Sequence, residues 1–373
     1  NPEVSTVTHT HDELQAVKPP RQEQEQAEEL ITEVAEGIYR MQLPVSMPGL
    51  GHVNCYALED EDGFALIDPG LPSEESWAAL RSRLGQLNAD IKNIHTAVVT
   101  HSHPDHYGGV HRLQADHEIK VLTHHDFSSA YAPPDPSEYF EDPDITALDL
   151  ADDEDIEKFR NHMRRTNPWG TEREPPSSEQ IRAWGATGFG INSKIFRPPE
   201  ANWTVGDLEE ISLGKRNWLA VHTPGHTHDH LCLYDPNDGL FFSGDHVLPT
   251  ITPHIGGITN LENPLATFIE SLKRMNEFSD VSKVLPAHGH PFVDLKGRAE
   301  NIIEHHVERL DSIREAGDEL GPATVETYMK RLFKERSWGD MAASETYAHL
   351  LHLRFLGEAS EEESQGLKIY KIK

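Results

Sequence analysis

One ten-residue run constrains this chain more than any other feature: Thr100-His101-Ser102-His103-Pro104-Asp105-His106-Tyr107-Gly108-Gly109. An apolar segment, Thr96-Ala97-Val98-Val99, runs straight into it, and Val110-His111-Arg112-Leu113 leads out as the start of a helix. Three imidazoles and a carboxylate therefore lie on a strand-to-helix loop, where a rigid scaffold can aim several side chains at one point. His101 and His103 are two apart and both reach one cation, while Asp105 and His106 turn the other way, toward a second. Neutral imidazole and carboxylate are donors that Zn²⁺ accepts. Gly108-Gly109 reads as a tight helix entry. No Lys or Ser/Thr follows it, as a phosphate-cradling loop would require.

Three later segments carry the same chemistry. His226 lies in Thr223-Pro224-Gly225-His226-Thr227, Asp245 in Phe242-Ser243-Gly244-Asp245-His246 and His288 in Leu285-Pro286-Ala287-His288-Gly289. Each has a turn former beside it, which places a ligand at the carboxyl end of a strand. A carboxylate is the one side chain here that can bridge two cations. Five histidines and two aspartates are enough for two open sites sharing Asp245. His222, His228, His230, His246 and His290 crowd the same loops and read as supports for the ligands. His124, His125, His254, His305 and His306 read as structural. His9 and His11 lack a following acid-plus-His and a preceding strand, and are not read as a metal site. Cys55 and Cys232 read as apolar strand residues, and two cysteines in 373 residues exclude a disulfide scaffold.

Short apolar runs around 37–41, 53–58, 64–68, 96–100, 218–221, 231–234, 240–242 and 281–285 predict strands. Helices are expected over 74–84, capped by Ser73, and over 264–278, and this alternation implies α/β layers. Residues 1–30 read as a polar tail, frayed or docked, and 31–297 as the main domain. A helical lid is expected at about 125–200, where Pro133-Pro134, Pro175-Pro176 and Pro198-Pro199 break the rhythm and Ile156 to Arg165 reads as helical. Residues 298–373 turn helical. Ile303, Val307, Leu310 and Ile313 mark one helix, Val325, Met329, Leu332 and Phe333 a second, and Tyr347, Leu350, Leu351 and Leu353 a third that stops at Gly357. With a closing strand at Leu367–Tyr370 they predict a small winged-helix-like domain.

Charge narrows the partners. Thirty-three Lys and Arg against 63 Asp and Glu give a net charge of −30, and such a surface repels polyanions. From Val121 to Glu157 there are twelve carboxylates and no Lys or Arg. No apolar stretch approaches the roughly 18–20 residues of a membrane span, and no secretory leader is visible, so a cytoplasmic location is expected.

The loop from His101 to His106 resembles the His-x-His-x-Asp-His signature of the metallo-β-lactamase fold superfamily, over about residues 37–297. The resemblance implies an αββα sandwich, with the inserted lid and the C-terminal domain as additions to it. It implies a first metal on His101, His103 and His226, and a second on Asp105, His106 and His288, with Asp245 between them. Two Zn²⁺ are expected, with Fe or Mn as alternatives. Asn54-Cys55-Tyr56 and Ile67-Asp68-Pro69-Gly70 match two further strands of the superfamily, with Asn54 and Asp68 read as scaffold. The Thr223–His230 segment, Ser243-Gly244-Asp245-His246 and the C-terminal helices are similar to the lactamase-beta-like branch that carries a winged-helix appendage. Some members of that branch are endoribonucleases and many are uncharacterised hydrolases. The glyoxalase-II thioesterases share the ligand set but end differently.

What this implies is a dinuclear hydrolase in which two cations acidify a bridging water toward neutrality. Asp105 would hold the hydroxide and take its proton, and Tyr107 and His246 are candidate donors to the oxyanion. A small-molecule ester, thioester or lactone is the expected substrate, with RNA or another phosphodiester as the alternative and a mononuclear iron oxygenase as a further one. From Arg298 to Lys373, 11 basic residues face 15 acidic ones. The third helix is expected to expose Glu345, His349 and His352, with Arg354 its one arginine. A nucleic-acid reader shows a basic stripe instead, and the only such clustering is Lys330, Arg331, Lys334 and Arg336. The lid residues Trp169, Trp184 and Phe189 suit an apolar acyl group. The expected partner is thus a small molecule, with nucleic acid the less favoured one and no membrane, and a homodimer is the oligomeric alternative.

Overall fold

The computed structural model describes residues 21–47, 49–129, 164–186 and 198–373, together with Asp153, Ile156, Glu157 and Arg160. The first sheet opens with β1 (Thr32–Ala35), β2 (Ile38–Met47), β3 (Leu50–Asp60) and β4 (Gly63–Ile67), paired antiparallel in that order. Helix α1 (Glu74–Gln86) follows, with the Ser73 hydroxyl accepting from the Ser76 amide at 3.1 Å as its cap. Then β5 (Ile94–Val98) pairs parallel with β4. The short α2 (Pro104–Tyr107) and α3 (Val110–Asp116) lead to β6 (Lys120–His124), parallel to β5. The insertion contributes β7 (Arg165–Thr166), β8 (Glu172–Arg173) and α4 (Ser178–Ala186), after which β9 (Trp203–Val205) joins β6 as the seventh strand.

The second sheet holds β10 (Glu210–Leu213), β11 (Arg216–His222), β12 (Leu231–Asp235) and β13 (Leu240–Gly244) antiparallel. After α5 (Pro264–Lys273), β14 (Lys283–Pro286) adds parallel to β13. Alternation along the strands sorts the side chains into layers. On β3, Val53, Cys55 and Ala57 pack with Leu80, Leu84, Val110 and Leu113 of α1 and α3, whereas Tyr56 and Leu58 face the second sheet. On β13, Leu240 and Phe242 meet the first sheet and Phe241 meets Phe268 and Leu272 of α5. The result is helix, sheet, sheet, helix. Because both sheets bury both faces, their strands read as nearly continuous apolar runs.

The chain ends with α6 (Leu295–Leu320), β15 (Ala323–Thr324), α7 (Val325–Leu332), α8 (Asp340–Phe355), β16 (Ala359–Ser364) and β17 (Leu367–Ile372), the strands in order β15-β17-β16. These helices share one apolar cluster with α5 and the outer face of the second sheet, and the boundary expected at 297/298 falls inside α6. From the polar tail, the buried Glu23 carboxylate accepts from the Thr250 and Ile251 amides at 2.8 and 3.1 Å, so this part is docked.

Some expectations change in the fold. The helix expected over 264–278 ends at Lys273 and finishes as a 3₁₀ turn, and Arg165 belongs to a strand. Trp169 does not stand over the ligand loops. It is buried beside Tyr347, donates its indole N–H to Glu326 at 2.6 Å, and its carbonyl accepts from the Lys368 amide. Helix α8 does not present His349 to solvent, for His349 is fully buried, while Glu345 and His352 are only partly exposed. The reason is that α8 is packed on several sides, against α5, α6, α7 and the loop before α5, so its apolar and small residues do not define one stripe. His9, His11, Phe189 and the side chain of Trp184 lie outside the described residues.

Candidate metal centre

All seven ligand-type side chains come from carboxyl-side loops of the two sheets. His101 and His103 follow β5, Asp105 and His106 stand on α2, and His226, Asp245 and His288 follow β11, β13 and β14. The close approach of two loops needs a glycine: a Cβ on Gly109 would stand 2.3 Å from the Pro69 carbonyl oxygen. The structure brings the seven into two groups, His101, His103, His226 and Asp245 in one and Asp105, His106 and His288 in the other. His101 Nε2 and His226 Nε2 lie 3.0 and 3.1 Å from His103 Nδ1. Asp245 spans both groups: its Oδ2 is 3.5 Å from His226 Nε2 and 3.6 Å from His106 Nε2, and its Oδ1 is 3.4 Å from His288 Nε2. Asp105 Oδ2 is 3.5 Å from His106 Nε2 and 3.4 Å from His288 Nε2.

These spacings leave a gap that the protein itself does not satisfy. His106 Nε2, His288 Nε2 and Asp245 Oδ1 are buried and have no hydrogen-bond partner. Three such atoms facing one another would each cost about 1–3 kcal/mol. Divalent cations with imidazole and carboxylate ligands fit that gap. The electrostatics agree. Burial, with His226 beside it, pushes His103 down to about 3, and burial pushes His101 and His226 down as well, so all three are neutral with lone pairs to offer. Burial alone would raise the Asp105 carboxyl, but His106 and His288 outweigh it and hold it at about 2. Against the pull of burial, Asp245 and Asp105 raise His288 to about 10, and His106 is raised too. This demand for positive charge is what a cation meets as it displaces those protons.

Three of the ligand-type rings are fixed through the far nitrogen. His106 Nδ1–H donates to Asp68 Oδ2 at 2.8 Å, and Asp68 is held by the Thr100 amide and hydroxyl at 2.9 and 2.7 Å. His288 Nδ1–H donates to the His52 carbonyl at 2.6 Å and His226 Nδ1–H to the His254 carbonyl at 2.8 Å. Asp245 is held too, its amide donating to His230 Nε2 at 3.0 Å. Asn54, read as scaffold, donates to the carbonyls of Pro286 and Gly289 around His288. Asp68 does more than the sequence reading assigned to it. His52 and His254 act through backbone carbonyls, for which no side-chain pattern exists. Fixing the far nitrogen sets the tautomer and leaves Nε2 for the metal.

The two candidate donors each follow a ligand-type residue in the chain, Tyr107 after His106 and His246 after Asp245. Tyr107 is buried, with its hydroxyl on Ser129 Oγ at 2.8 Å. His246 is buried with its ring edge-on to Phe268, 5.4 Å between centroids, and burial lowers it to about 3. His222 Nε2–H donates to the His228 carbonyl, and its ring stacks on His124. His290 bridges Arg40 and Glu25. His124, His125 and Asp126 form a third, more open group at the end of β6. Cys55 and Cys232 are buried and unpaired, and burial pushes the Cys232 thiol up to about 12.

The fold has a solved counterpart in the metallo-beta-lactamase family protein TTHA1429 from Thermus thermophilus, with a TM-score of 0.68 and 25% identity over 91% of this chain and all of that one. The chain is 24% identical over 325 residues to "Probable metallo-hydrolase YqjP" of Bacillus subtilis, covering 84% of this chain and 91% of that protein. It is 25% identical over 270 residues to "Acyl-coenzyme A thioesterase MBLAC2" of Bos taurus, covering 69% and 80%. Fold, donor set and relatives together define a metallo-hydrolase. Residues 48–289 match the model of the metallo-beta-lactamase superfamily, and the chain belongs to that superfamily.

Proposed function

We propose that this chain is a dinuclear metal-dependent hydrolase of small-molecule acyl esters, with thioesters as the favoured class. The observation that carries the reading is the cluster of orphaned buried atoms, His106 Nε2, His288 Nε2 and Asp245 Oδ1, between two donor groups that share Asp245. His101, His103 and His226 would hold one cation, and Asp105, His106 and His288 the other. Two zinc ions suit this donor set, with iron or manganese as alternatives. When bound, the ions supply a water acidified toward neutrality and a Lewis acid for the carbonyl oxygen. Asp105, with Oδ2 facing the same gap, is the carboxylate that orients the water and takes its proton. Asp68, His52 and His254 keep the imidazoles in the tautomer that leaves Nε2 unprotonated.

The thioester class rests on the relative described as an acyl-coenzyme A thioesterase. We read the order helix, strand, helix, helix, hairpin over α6 to β17 as a winged-helix-like arrangement, which raises RNA as the alternative substrate. Against it, the helix such a domain would place in a groove, α8, is largely buried, and β16 carries Glu361, Glu362 and Glu363. Two donor groups rather than a single His-His-Asp set favour hydrolysis over iron oxygenation.

The test is a panel of acyl thioesters, esters, lactones, phosphodiesters and short RNAs on protein of measured metal content. Thioester turnover is expected, and His103→Ala should lower it by more than about a hundredfold together with loss of metal. RNA cleavage without acyl turnover, lost in the same variant, would overturn the reading.

A further inference from the structure

We infer that Glu345, on α8 of the C-terminal segment, is a positioning residue for the ligand His226, acting through His254. This rests on the reading that His101, His103 and His226 take a cation. His226 is oriented by the His254 carbonyl at 2.8 Å. His254 stands in a stretch, 249–263, with no strand or helix of its own, so something outside must place that carbonyl. The outside support comes from the C-terminal helices. Glu345 Oε2 lies 3.6 Å from His254 Nδ1, and the Gly257 amide donates to the Ser344 carbonyl and hydroxyl at 3.1 and 3.0 Å. His352 reaches Asn263 Oδ1 at 3.2 Å, and Arg298 of α6 donates to the carbonyls of Leu248 and Ile251 at 2.7 and 2.8 Å.

Glu345 is an unusual choice for a helix that only packs. Its side chain is 17% exposed, 3.9 Å from Arg309 on one side and facing His254 on the other. A buried carboxylate costs free energy unless it is paired. Here the pairing runs through the loop whose His254 carbonyl orients His226. The second group has no such dependence, because the anchors of His106 and His288 are Asp68, at the end of β4, and the His52 carbonyl on β3, both in the first sheet. Disturbing α8 at Glu345 should therefore loosen one cation and leave the other.

The experiment is zinc competition with a chromogenic chelator on the full chain, with thermal unfolding followed in parallel. Wild type should hold two ions. Glu345→Ala should weaken one of them by about tenfold and leave the other within about twofold. Glu345→Gln keeps an acceptor for His254 and should restore the wild-type affinity. His254→Ala keeps the carbonyl but removes the ring held by Glu345; it should match Glu345→Ala, and the double variant should add nothing further. His254→Ala carries the test alone if Glu345→Ala does not fold, since that ring is 27% exposed. Unchanged affinities, equal weakening of both ions, or a loss that Gln does not rescue would overturn the inference. A wild type that binds no zinc would instead refute the metal centre itself.

Discussion

At the scale of single residues, Asp68 shows how a ligand is made from parts far apart in the chain. It has a left-handed backbone (φ 53°) directly after β4, and it accepts from the Thr100 amide, the Thr100 hydroxyl and the His106 ring. Asp68→Ala should leave His106 free to turn, with a loss in metal affinity of about 10–100-fold read by chelator competition. An unchanged affinity would reduce Asp68 to scaffold. The seven ligand-type residues were legible in the sequence because coordination depends on side-chain identity and each stands beside a turn former. The carbonyls of His52 and His254 were not, because any residue at those positions presents the same oxygen.

At the scale of elements, the loop after β11 depends on how close it comes to α5. Gly225 has φ +143°, and a Cβ there would stand 2.4 Å from Phe268 Cα. Gly225→Ala combines backbone strain of about 1–3 kcal/mol with overpacking of about 1–3 kcal/mol. A lowered midpoint in urea with weakened metal binding is the expected outcome, since His226 is the next residue. In the two main sheets, β2 to β5 and β11 to β14, with α1, were legible because apolar runs, the Ser73 cap and the flanking turn formers agree, whereas β1, β6, β9 and β10 were not read as strands. Helix α8 was not. Packed by neighbours on several sides, it has no single polar face, so its His349 could not be told from a solvent-facing histidine.

At the scale of the whole molecule, acid should act on the C-terminal half as well as on the metal centre. His306 and His349 are buried side by side, with His306 Nδ1 and His349 Nε2 3.1 Å apart. Burial lowers them to about 3 and about 4, the first helped by the proximity of His349. In the unfolded chain they titrate near 6.5, so below that pH the unfolded state binds protons the folded state refuses. Stability should fall as pH drops through 6.5 toward 4. Urea midpoints at pH 7, 6, 5 and 4 would check this, and His349→Gln should flatten the slope. No helix among the described residues is long and apolar enough to cross a membrane.

Donor chemistry, the clustering of donors after the strands and the layered α/β class were already written in the order of residues, because they depend on residue type and short-range periodicity. Which carbonyl holds which imidazole, that Trp169 and Glu345 turn inward, and that the C-terminal helices grip the loop beside His226 came from the way the layers pack. Those contacts join residues up to 236 positions apart. Burial and hydrogen-bond partners across such separations are set by how layers meet, which no local pattern encodes.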